Sequence, residues 1–98
     1  MCNLYILFSE TRNKYYVGIT TEATENRLKK HNESIYGKNS FTSTVNDWSV
    51  VLDLEVDSIE IARKMESYIK KMKSRKFIEK IVFDVNERNV FINKFLNH

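Results

Sequence analysis

The chain has no proline, two glycines and one cysteine in 98 residues. A lone Cys2 excludes an internal disulfide and any zinc site built from cysteines, and it fits a reducing compartment, so a cytoplasmic protein is expected. No stretch approaches the roughly 20 consecutive apolar residues of a membrane span, and no secretory leader precedes the first apolar run. Internal repeats and low-complexity segments are absent as well. Charge is plentiful and nearly balanced, at a net +3 with a pI near 9.0. That balance permits a nucleic-acid partner without requiring one. The length allows one domain with a single modest core.

With glycine so scarce, its position carries information. Leu4-Tyr5-Ile6-Leu7-Phe8 and Tyr15-Tyr16-Val17-Gly18-Ile19 are two apolar runs rich in aromatic and β-branched residues. The polar segment Ser9 to Lys14 between them predicts an antiparallel hairpin. Side chains alternate along a strand, so simple register puts Tyr5 and Tyr16 on one side. Gly18 closing a β-branched strand implies either an unusual φ or something packed close against the backbone.

Thr20 to Asn32 reads as a helix, with Thr21 or Thr24 as its cap, acids in the first turn and Lys29-Lys30 near the end. Arg27 and His31 stack on one face of it, beside Leu28. Glu33 to Asp47 is polar, contains Gly37 and reads as a loop. Trp48, Val50, Leu52, Leu54 and Val56 alternate with mostly polar neighbours. That pattern predicts a strand with one buried and one solvated face. Asp57-Ser58-Ile59-Glu60 fits a capping box opening a long helix whose apolar stripe is Ile61, Met65, Tyr68, Ile69 and Met72. Glu66 lies roughly 90° from the centre of that stripe, at the border of the core. From Arg63 to Lys80 there are eight basic residues against two acids, Glu66 and Glu79. Positive charge is thus concentrated where it could meet phosphates, above all at Lys70, Lys71, Lys73, Arg75 and Lys76. Phe77 to Phe83 is a short apolar helix or strand. Asn86 to Asn97 reads as an amphipathic helix burying Val90, Phe91, Phe95 and Leu96.

The order β-β-α-β-α, with a further C-terminal helix, predicts an α+β domain built on a small three-stranded sheet flanked by helices. Several residues in this order form a known pattern. Asn3-Leu4-Tyr5 is followed eleven residues after Tyr5 by Tyr16-Val17-Gly18; then come Arg27, His31, the passage from Phe41-Thr42-Ser43 to Trp48, and Ala62 to Lys70 with Lys73-Ser74-Arg75-Lys76. Together they resemble the GIY-YIG nuclease superfamily, in its small single-domain bacterial form, over about residues 3–82. The first half-motif keeps only its tyrosine. Ile19 stands where many members have a polar or basic residue. The asparagine that some members carry beyond the metal-binding helix has no clear counterpart, Asn86 and Asn89 being the nearest. On this resemblance residues 1–83 form the catalytic-type domain, and residues 84–98 a helical extension packed on it.

The resemblance implies a metal-dependent DNA endonuclease that hydrolyses phosphodiester bonds by a one-metal mechanism. Glu66 would hold the cation, Mg²⁺ or Mn²⁺, since a single carboxylate suits a largely hydrated hard ion better than zinc. Arg27 would make a forked contact with the scissile phosphate. Tyr5, with Tyr16, would orient or deprotonate the attacking water, and His31 would hold a tyrosine or accept the proton. Each residue also has a plainer reading. A strand tyrosine is usually packing, an isolated arginine is usually solvated, and Glu66 could serve only a helical ion pair with Lys70. The alternative function is therefore a nucleic-acid-binding module of the same fold with little or no catalysis.

Overall fold

A computed structural model describes residues 2–32 and 46–96. Glycine 37, the Phe41-Thr42-Ser43 passage and most of the predicted polar loop lie outside the described residues. The elements are β1 (Cys2–Ser9), β2 (Lys14–Thr20), α1 (Thr24–Asn32), β3 (Trp48–Val56), α2 (Ile59–Met72), α3 (Arg75–Phe83) and α4 (Val85–Leu96). This is an α+β fold on a three-stranded antiparallel sheet, in the order β2-β1-β3. The first hairpin strand is thus central and the second is an edge.

Burial explains why β1 takes the middle. Leu4, Tyr5, Ile6 and Leu7 are all fully buried, so consecutive side chains are covered on both faces. Each buried large apolar side chain contributes about 1.5–3 kcal/mol relative to exposure, and only the centre of the sheet hides both sets. On one face Cys2, Leu4, Ile6, Val17, Leu52 and Val56 meet Ala62, Met65 and Ile69 of α2, Ile81 of α3 and Phe91 of α4. On the other, Tyr5, Leu7 and Trp48 form a smaller cluster with Tyr16 and Leu28 of α1 packed against it. The face expected to be solvated is therefore covered by α1.

A register shift makes this second cluster. Ile6 pairs with Leu52 but Leu7 pairs with Val50, so Val51 is an extra residue in β3. One inserted residue reverses the alternation beyond it. Leu52 and Val56 keep the predicted face, whereas Trp48 turns to the α1 side and Val50 is 36% exposed.

The helix ends also depart from the predicted boundaries. The first helix starts at Thr24 rather than Thr20, because the Thr20 hydroxyl accepts the Glu22 N–H and forms a turn before it. Neither Thr21 nor Thr24 caps it; the Thr24 hydroxyl donates to Asp53. Ser58, one residue after the predicted Asp57, caps α2 and accepts from the Glu60 and Ile61 N–H groups. Phe77 to Phe83 is helical, within α3, whose cap is Ser74. In α4, Phe91 is buried and Phe95 partly so, but Val90 and Leu96 face solvent. Met72, the end of the predicted α2 stripe, is likewise exposed.

Candidate active site

Two clamps fix α1 over the sheet. At its start Thr24 donates to Asp53 Oδ1, which also accepts from Asn3 Nδ2. At its end Asn32 Oδ1 accepts the Trp48 N–H at 2.8 Å while Asn32 Nδ2 donates to the Trp48 carbonyl at 3.1 Å. Arg27 and His31 lie between these ties. Their height above β1 and β2 is therefore set by polar bonds to the backbone and side chains of β3.

Beneath α1 the two motif tyrosines converge. Tyr5 and Tyr16 rise on the same side, their ring centroids 6.4 Å apart. Tyr16 packs 4.7 Å from the His31 ring and meets Trp48 edge-on. The Tyr5 hydroxyl and His31 Nε2 are 3.1 Å apart, in a buried hydrogen bond. Gly18 makes room for this geometry. It pairs with Tyr5 across the ladder, and a Cβ on it would stand 2.5 Å from both Tyr5 Cζ and its hydroxyl oxygen. Of the two explanations for Gly18, close packing is the one observed.

His31 is 1% exposed. Burial first, and the nearby Arg27 charge second, lower its pKa from 6.5 to about 4. The imidazole is therefore neutral at pH 7, and one ring nitrogen can accept while the other donates. Arg27 itself is half-buried and lines a small cleft of about 250 Å³ with Thr20, Glu22, Ile59 and Arg63. Tyr5 is fully buried, whereas Tyr16 is partly exposed.

Glu66 lies on α2, whose core side chains pack the opposite face of the sheet from the tyrosine cluster. Its side chain is 23% exposed and pairs with Lys70 at 3.3 Å. Lys70 in turn lies 6.0 Å from the Tyr16 ring centroid. The helix border position predicted for Glu66 is thus observed, together with the plain i,i+4 ion pair. Among the described residues no group of three or more His, Cys, Asp or Glu side chains could hold a metal. A single partly exposed carboxylate fits an ion that keeps most of its water, and does not fit a caged zinc or calcium.

The five residues expected to meet phosphates separate. Lys70, Lys71, Lys73 and Lys76 are exposed. Arg75 is engaged by the protein: its guanidinium donates to the Asn13 carbonyl at 2.7 Å and to Asn13 Oδ1 at 2.8 Å, and its Nε donates to Glu79. It ties the hairpin turn to α3. Sequence reasoning also missed Lys14, Asn32 and Asp53. The first sits at the end of a polar turn where nothing distinguishes it, and the other two act through partners distant in the chain.

The match to known proteins follows this geometry. The model of a family described as the GIY-YIG catalytic domain matches residues 1–80. The chain belongs to the GIY-YIG family, whose domains are typically endonucleases. Searches of curated proteins and of solved structures found no significant match.

Proposed function

We propose that this protein is a divalent-metal-dependent endonuclease acting on DNA. The observation that carries the reading is the convergence of Tyr5, Tyr16 and His31 under α1, with Arg27 one turn before His31 on the same helix. Hydrolysis of a phosphodiester needs an oriented water, a route for its proton and cations near the developing charge. Arg27, half-buried beside the cluster, offers a planar fork suited to a phosphate.

The low pKa of His31 makes it a poor final proton acceptor and a good fixed partner. As the neutral ring it shares a hydrogen bond with the Tyr5 hydroxyl and fixes the orientation of the phenol. Of the two roles expected for His31, holding a tyrosine is the one this supports. Tyr16, partly exposed, is then the phenol able to meet solvent, with Tyr5 positioned behind it. A free phenol has a pKa near 10, so either tyrosine needs neighbouring cations to act as a base. Glu66 would hold Mg²⁺ or Mn²⁺, which on binding supplies charge neutralisation and an acidified water. The protein's own part is to free that carboxylate from Lys70.

The Glu66–Lys70 pair is also the one observation favouring the second reading, a DNA-binding module of the same fold with little turnover. One experiment separates them. Cleavage of labelled single-stranded, duplex and flap DNA is measured with Mg²⁺ and with chelator, for wild type and Glu66→Ala. The nuclease reading expects metal-dependent cleavage that Glu66→Ala abolishes, with the melting temperature and DNA affinity near normal. Cleavage at the wild-type rate in Glu66→Ala removes Glu66 from the mechanism; affinity without cleavage in wild type supports the module.

A further inference from the structure

A cleft of about 590 Å³ opens between the end of the β1–β2 hairpin and the α2–α3 junction. It does not coincide with the tyrosine cluster but shares Tyr16 with it. Its floor is apolar, from Val17, Ile69 and Ile78, and its rim carries Lys14, Lys70 and Lys73. Lys14 and Lys73 make no ion pair among the described residues; the three pairs there are Lys30–Glu22, Lys70–Glu66 and Arg75–Glu79. The N-terminus of α3 opens into the same space through Ser74 and Arg75, adding the positive end of a helix dipole. The Arg75–Asn13 bonds hold the two walls at a fixed separation.

The helix on one side of the cleft continues the pattern. Arg63, Glu66 and Lys70 stand at i, i+3 and i+7 on one stripe of α2, and Lys73 caps its end, the four spanning about 15 Å. Glu66 lies between the small Arg27–Arg63 cleft at the helix start and the large Lys70–Lys73 cleft near its end. A chain of phosphates running along this stripe meets cations before and after the carboxylate. Apolar floor, aromatic wall and cationic rim together match one ligand chemistry, a nucleotide with its base exposed. The flat base faces the isoleucines and Tyr16, while its phosphates reach the lysines. Bases within an intact duplex are paired and stacked, and must be extruded before entering such a cleft.

We propose that the cleft lined by Lys14, Tyr16, Ile69, Lys70, Lys73 and Ile78 holds an unpaired nucleotide next to the phosphate to be cut. The preferred substrate is then a single strand or a splayed end rather than continuous duplex. This rests on the nuclease reading of the neighbouring site, but it is tested by binding alone.

A labelled DNA single strand of about 12 nucleotides, and the duplex of the same sequence, are titrated with the wild-type protein in chelator. The strand is also prepared with 2-aminopurine or an abasic unit at each position in turn. The proposal expects the single strand to bind at least about tenfold more tightly than the duplex. One or two positions should change 2-aminopurine fluorescence and lose affinity when abasic. Lys14→Glu combined with Lys73→Glu should erase the single-strand preference and that fluorescence change, at an unchanged melting temperature. Lys64→Glu combined with Lys80→Glu, an equal charge change at exposed positions outside the cleft, should retain both. Equal affinity for strand and duplex, or no position sensitive to base removal, overturns the proposal. So does undiminished binding by the Lys14→Glu, Lys73→Glu protein. If those results come with normal Mg²⁺-dependent cleavage, the cleft assignment fails and the nuclease reading stands. Cleft binding as expected with no cleavage of any substrate supports the cleft and removes the nuclease.

Discussion

Gly18 and His31 are the residues on which the buried cluster turns. Adding one methyl at Gly18 places a carbon 2.5 Å from the Tyr5 ring and hydroxyl, so the ring must leave its position opposite the glycine. Gly18→Ala is expected to destabilise the fold by about 1–3 kcal/mol and to break the Tyr5–His31 bond. Urea titration and the cleavage assay check both; a Gly18→Ala protein of wild-type stability would mean that Tyr5 has room to move. His31 makes a different prediction. Its folded pKa, about 4, lies below the unfolded value near 6.5, so the unfolded chain binds its proton first as pH falls. Stability is therefore intact above about pH 6.5 and declines towards pH 4, by at most about 1.4 kcal/mol per pH unit from this group. His31→Gln should flatten the slope of unfolding free energy between pH 6.5 and 4.5. An equal slope in the variant would assign that proton uptake elsewhere. Asp47 is separate from this window. Hydrogen bonds first from the Ser9 hydroxyl and then from the Thr11 backbone lower its pKa below 3.8, so its contribution fades only in stronger acid.

Among the elements, α2 carries the proposed metal-binding carboxylate and ends under strain. Lys73 at its C-terminus has φ 48° and ψ 38°, the left-handed region that disfavours a side chain. Glycine takes this conformation without steric cost and is the usual residue there. Lys73→Gly should raise stability by about 0.5–1 kcal/mol, and Lys73→Ala should not. The denaturation midpoint should rise at constant m value; a lower midpoint would show that the lysine's other contacts outweigh its backbone. The turn between α2 and α3 also explains why the basic run does not behave as one unit. Lys70 and Lys73 follow the α2 stripe into the cleft, whereas Arg75 begins the next helix and turns back to Asn13.

At the scale of the whole molecule, α4 lies beyond the residues that match the family model, yet its Phe91 is 2% exposed in the main core. Tyr68, Phe77, Phe91 and Phe95 form one aromatic group with ring centroids 5.3–5.9 Å apart. Arg88 strengthens this end by donating to the Ile81 and Val82 carbonyls at the close of α3, both at 2.7 Å. Phe91→Ala should cost about 3–5 kcal/mol, a large part of the stability of a domain this size. A melting temperature within a few degrees of wild type would mean that the core closes over the missing ring.

What the sequence determined by itself was set by short-range patterning. The hairpin, the helices and the α+β class follow from apolar periodicity and polar breaks, and the family follows from Tyr5, Tyr16-Val17-Gly18 and their ordered companions. The same patterning placed Glu66 at a helix border and tied Gly18 to something unusual. Only the tertiary structure decided the rest, since each remaining feature depends on a partner far along the chain. The inserted Val51 reverses Trp48, because register is a property of two paired strands and leaves no trace in the alternation of one. Tyr5 is buried rather than solvated because α1 closes the face that β3 alone would leave open. Asp53 and Asn32 became clamps, and Arg75 a tie to the hairpin, because hydrogen-bond partners are chosen by distance in space. The two clefts lined by Arg63 and by Lys70 exist for the same reason: α2 lies along the edge strand, and packing alone brings their walls together.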